Sequence, residues 1–156
     1  MNDFVLARCQ ALEGAARGSA LATRRFAGAA GTGRERGEYV PTTLFILNDA
    51  PYGSERTYNA LRLAGSLAKR EGEHVQVFLI GDAAACAKKG QKVPAGYYQI
   101  EHMLHLVAGK GGEIGVCGSC MDARGIRGDE LAEGCRRSSM EELTGWTQQA
   151  ERVLVF

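Results

Sequence analysis

Four short apolar runs, separated by stretches of helical apolar spacing, constrain this chain more than any other feature. They are Thr43-Leu44-Phe45-Ile46-Leu47, Val75-Gln76-Val77-Phe78-Leu79-Ile80, residues 113–117 and Arg152-Val153-Leu154-Val155-Phe156. Each has strand length, and the first three run into turn-forming residues. Between the first two runs, Tyr58, Leu61, Gly65 and Ala68, with Ala60, Leu63, Ala64 and Leu67, form a broad apolar helical face to about residue 70. Ser54 is placed to cap that helix and Glu71-Gly72 to end it. Further helices are expected over 83–88, over 97–107, around 129–135, and from the capping box Ser139-Met140-Glu141-Glu142 to about residue 150. Strands alternating with helices predict an α/β fold: an open, mostly parallel sheet covered by helices.

That architecture says where a site should lie. Right-handed crossovers point the carboxyl ends of successive parallel strands the same way, and ligands bind beyond those ends. The loop 48–54, the Gly81-Asp82 step and the segment after Cys117 are therefore expected on one rim.

Residues 1–41 do not share the pattern. They are rich in Ala, Gly and Arg without a sustained apolar period, and read as a poorly ordered extension before a domain over 42–156. The arginines suggest a transit peptide, but Asp3, Glu13, Glu35 and Glu38 argue against it. Glycines 31 and 33 lack the strand before and the Gly-Lys-Ser/Thr after that a phosphate loop needs. The N-terminus has no compact hydrophobic secretory stretch, and no apolar run approaches the ~20 residues of a membrane helix. A formal charge of +1 gives no reason to expect nucleic acid or an acidic membrane surface as partner. Basic pairs such as Lys88-Lys89 and Arg136-Arg137 read as solvated surface. Five irregularly spaced cysteines do not make a disulfide framework, so a reducing, cytoplasmic setting is expected.

In that setting, Cys117-Gly118-Ser119-Cys120 is the feature that carries chemistry. A Cys-x-x-Cys pair can close a disulfide, share a metal, or use one sulfur to attack while the other resolves. A free thiol is only slightly ionised at neutral pH, so a reactive cysteine needs local help. Backbone N–H groups at Gly118-Ser119, or the nearby Arg124, are the candidates. Zinc is the rival reading: His102 and His105 share a helix face, and with the two thiolates they would complete a tetrahedral set. Asp82 and Asp122 read as bases or caps, and Cys9 and Cys86 as incidental.

The segment from residue 43 to the end resembles the DsrE/DsrF family of small sulfur-handling proteins, and most closely its YchN-like branch. The resemblance rests on Ala50-Pro51-Tyr52-Gly53-Ser54-Glu55, Leu61-Arg62-Leu63-Ala64, Gly90-Gln91-Lys92 and Cys117-Gly118-Ser119-Cys120-Met121-Asp122-Ala123-Arg124-Gly125-Ile126. The closing Glu142-Leu143-Thr144-Gly145-Trp146-Thr147 and residues 150–156 complete it. It implies a flavodoxin-like fold and homo-oligomers, commonly trimers or hexamers. It also implies a cysteine at this strand end that accepts sulfane sulfur as a persulfide and passes it from donor to acceptor protein. Placed against Arg124-Gly125-Ile126, that cysteine is Cys117. Cys120 belongs to the YchN-like pattern, whereas relay members with one cysteine lack it. The combined expectation is an intracellular sulfur handler with Cys117 as acceptor and Cys120 in support. Asn48, Tyr52, Gly53, Ser54, Asp82 and Arg124 are expected around the pocket, and no cofactor or metal is assigned. The alternatives are a dithiol redox protein and a zinc- or partner-binding module.

Overall fold

The computed structural model describes residues 40–156. The expectations for the extension, apart from Val40 and Pro41, lie outside the described residues. Five strands form one sheet in the order β4-β3-β2-β1-β5: β1 is Thr42–Leu47, β2 His74–Leu79, β3 Glu113–Cys117, β4 Cys135–Ser138 and β5 Arg152–Val155. Every pairing is parallel, so the sheet is wholly rather than mostly parallel.

Side-chain alternation divides the core between two faces. Phe45, Leu47, Val77, Leu79, Ile114 and Val116 point to one face, under helices α1 (Arg56–Leu67) and α2 (Ile100–Ala108). Leu44, Phe78 and Cys117 point to the other, under Leu143 and Trp146 of α4 (Met140–Gln149). The chain steps from β1 to β4 in one direction, and α4 then carries it back past β1. A right-handed crossover in the opposite direction places α4 on the opposite face.

The buried stripe of α1 is Thr57, Ala60, Leu61 and Ala64; Leu63, expected inside, is 42% exposed. Ser54 does not cap this helix. Its hydroxyl donates to Asp49 Oδ2 at 2.7 Å, and Thr57 Oγ1 donates to the Asp49 carbonyl at 2.8 Å, so the loop is tied to itself. The Ala-rich segment after β2 is a 3-10 helix over Gly81–Ala87. Helix α2 starts at Ile100 rather than 97, because residues 94–97 make a turn in which Tyr97 N–H donates to Pro94 O.

The helix expected around 129–135 does not form. Only Gly128–Glu130 is helical, as a 3-10 turn. The next residues pair with the 87–89 segment, Lys89 N–H donating to Glu130 O and Ala132 N–H to Ala87 O. Gly134 then turns the chain at φ +84° into β4, an edge strand that the sequence reading did not anticipate.

Half of the Ser139 capping box forms: Ser139 Oγ accepts from the Glu142 N–H at 3.2 Å. The Glu142 carboxylate instead accepts from the two terminal guanidinium nitrogens of Arg136 and from the Ser138 hydroxyl. Arg136 in turn lies 5.6 Å from the Trp146 ring centre. Arg136 first, then Ser138, holds the Glu142 carboxyl down at about 2. A depressed folded-state value means that the stabilisation is full above the ordinary carboxyl range and disappears as pH falls toward about 2. Glu142→Gln is expected to cost about 1–2 kcal/mol at neutral pH, partial exposure reducing the effect. Urea unfolding of both proteins checks this: their difference should shrink as pH drops from 4.5, the ordinary carboxyl value, toward about 2.

Candidate active site

Strand β3 passes into α3 (Gly118–Ala123) with no intervening residue. Cys117 is both the last strand residue and the N-cap of that helix. The expected loop after Cys117 is therefore a helical turn, and Cys120 sits within it.

Cys117 is 4% exposed and packs with Leu44, Phe78, Leu143 and Trp146. Its Sγ lies 3.3 Å from Ser119 Oγ. Burial opposes ionisation of this thiol. Hydrogen bonding from Ser119 Oγ, the Cys120 thiol and the Cys120 and Ser119 N–H groups outweighs burial, so Cys117 lies below the ordinary thiol value. Cys120 shifts the other way. Burial and then the neighbouring Cys117 raise it, against the Gly81 N–H, which donates to Cys120 Sγ at 3.2 Å, and the charge of Arg124. Of the two sulfurs, Cys117 is the more readily ionised and Cys120 the less. The thiolate is the attacking form of a cysteine.

Hydrogen bonds join three of the expected rim segments. Asn48 O accepts from the Ala83 N–H, and Asn48 Nδ2 donates to Phe156 O at 3.2 Å. Gly81 meets Cys120, and Arg124 Nη2 donates to Asp82 Oδ1. Asn48, Asp82, Cys117, Cys120 and Arg124 thus lie on one connected rim. Tyr52 turns elsewhere: its ring stacks on Tyr98 at 5.8 Å, and Tyr98 stacks on Tyr58 at 4.2 Å. Ser54 is engaged with Asp49, and Gly53 supplies a φ of +111° in the same loop.

Two assignments change. Arg124, expected to help Cys117, donates instead to Asp82 and to the Cys120 carbonyl, and its charge acts on Cys120. Arg137, read from sequence as surface, folds onto the Cys117 turn. A Cβ on Gly118 would come within 2.8 Å of Arg137 Nε and 2.9 Å of Cζ and Nη2. Asp122 grips the same guanidinium with two hydrogen bonds of 2.8 and 2.7 Å. The zinc set does not assemble. His102 and His105 are exposed on α2 beside Gln99, Glu101, Ala132 and Glu133, and among the described residues no three His, Cys, Asp or Glu side chains converge on a metal position. Among the described residues, no helix is long and apolar enough to cross a membrane.

Fold and site together define a small, open, parallel α/β domain with an asymmetric dithiol at a strand end. The chain matches the DsrE/DsrF-like family over residues 42–156 and belongs to it. Protein YchN of Escherichia coli is 37% identical over 114 residues, which span 72% of this chain and 97% of that protein. An uncharacterized protein of Methanopyrus kandleri is 35% identical over 119 residues, 76% of this chain and 97% of its own. The crystal structure of the E. coli ychN protein superposes with a TM-score of 0.71 at 36% identity, covering 74% of this chain and 99% of that one. A protein of unknown function from Methanobacterium thermoautotrophicum shares the fold at 13% identity, with a TM-score of 0.60 over 74% of this chain and 99% of its own.

Proposed function

We propose that this chain carries sulfane sulfur, with Cys117 accepting it as a persulfide. The observation that carries the reading is the split between two neighbouring thiols, Cys117 lowered by its hydrogen bonds and Cys120 raised by burial and by Cys117, at the carboxyl end of a parallel strand. Membership of the DsrE/DsrF-like family supports it. In loading, the Cys117 thiolate attacks the outer sulfur of a donor persulfide. The donor S–S bond breaks, its thiolate leaves, and Cys117–S–SH forms. In unloading, an acceptor thiolate attacks that outer sulfur and the Cys117 thiolate departs. Without an acceptor, Cys120 attacks the inner sulfur, expels hydrosulfide and leaves a Cys117–Cys120 disulfide, which a small-molecule thiol reduces.

Intact mass after exposure to a persulfide donor tests the reading. Wild type should gain one sulfur atom, Cys117→Ser none, and Cys120→Ser should load and hold its sulfur longer. Equal loading of wild type and Cys117→Ser would exclude Cys117 as the acceptor. The same split between the thiols also suits a dithiol redox protein. Under that second reading, the pair shows a two-electron potential and no sulfur is added.

A further inference from the structure

The Arg137–Asp122 pair has no part in the reading above, although it covers the turn that holds Cys117. Strand β4 lies beside β3 with Val116 opposite Arg137 and Cys117 opposite Ser138. From there the Arg137 side chain reaches Gly118, where its guanidinium occupies the space a Cβ would need. Asp122, on α3, fixes the plane of the guanidinium through the two-toothed contact. Both partners are at least half exposed, and such surface pairs add little to stability. The guanidinium lies against Gly118, the residue that follows Cys117, and a cation near a cysteine favours its anion.

Taking Cys117 as the reactive thiol, we propose that Arg137 is its positioning residue: clamped by Asp122 over Gly118, the guanidinium supplies the positive charge against which the sulfur anion forms. The other charged groups near the turn are paired as well, each away from Gly118. On α3, Arg124 is paired with Asp82 of the 3-10 helix and bonded to the Cys120 carbonyl, and Asp122 is held by Arg137 itself. From α4, Glu142 is taken by Arg136 and Ser138. Arg137 is favoured in its charged form by Asp122 first and then by the Cys117 charge.

The pH dependence of Cys117 alkylation by iodoacetamide, read by peptide mapping, tests this. Arg137→Gln should move the midpoint upward and slow the reaction severalfold at neutral pH, while Arg137→Lys keeps part of the effect. Gly118→Ala retains the arginine but pushes it aside, and should move the midpoint the same way. An unchanged midpoint in Arg137→Gln, or in Gly118→Ala should the first variant unfold, overturns the proposal. Rapid labelling of buried Cys86 identifies an unfolded variant. Alkylation uses no sulfur donor, so the two readings fail separately. Wild type that never loads sulfur sinks the persulfide reading alone, whereas loading with an unmoved alkylation profile sinks the role of Arg137 alone.

Discussion

Replacing Phe78 by alanine is expected to destabilise the protein by about 3–5 kcal/mol. Phe78 is fully buried on β2 and meets Trp146 edge-on, with ring centres 6.0 Å apart. Only Leu143 and Trp146 of α4 are buried, so much of that helix's grip on the sheet runs through this contact. The neighbouring strand leaves the ring its room: a Cβ on Gly115 would lie 3.2 Å from Phe78 Cδ2. Truncation therefore removes both the transfer energy of the ring and the packing of the atoms around it. Against a typical total of about 5–15 kcal/mol, the loss is a large share. Phe78→Leu, which refills most of the space, should cost on the order of 1 kcal/mol. Urea denaturation of the two variants checks the ranking; near-equal losses would mean that α4 closes over the void.

Native-state alkylation at neutral pH should label Cys117 first, Cys120 later, and Cys86 and Cys135 only on unfolding. Burial pushes Cys86 up to about 12, the proximity of Cys135 adding to it, and burial then Glu101 pushes Cys135 up to about 12. At pH 7 the thiolate then makes up about 10⁻⁵ of each, which leaves both inert even before access is considered. Cys117 owes its place to hydrogen bonds that overcome its burial. Its labelling should therefore persist at pH values where a free cysteine has stopped reacting. Peptide mapping reads each site, with Cys9 followed on its own peptide. Labelling of Cys86 or Cys135 as fast as Cys117 in the folded protein would contradict this order.

The elements that the sequence makes legible are those whose residues are chosen by burial. Strands β1, β2 and β3 read as apolar runs because helices cover both faces, and each comes out within a residue or so of its expected place. Strand β4 is Cys-Arg-Arg-Ser at the sheet edge, held by side-chain pairs such as Arg136–Glu142 and Arg137–Asp122. No apolar period can mark a strand of that kind. Helix α3 was hidden for a related reason, since Gly, Ser and Cys are weak helix formers and the strand end imposes its course. Cys117 and Cys120 stood out by spacing alone, and the shared rim followed from topology. Proximity in sequence favoured Arg124, while parallel pairing brings Arg137 across from β4 to the Gly118 turn. Long-range register of this sort is invisible without the pairing partner.

The direct join of β3 to α3 also limits how a sulfur on Cys117 can travel. A cysteine on a loop can swing, but this one shares its backbone with a strand paired on both sides and with the helix that follows. On the proposed function, the cargo has no arm. Donor and acceptor must each bring their own sulfur into bonding distance of an almost enclosed atom. The reach, and with it the choice of partner, then belongs to whatever docks on the rim.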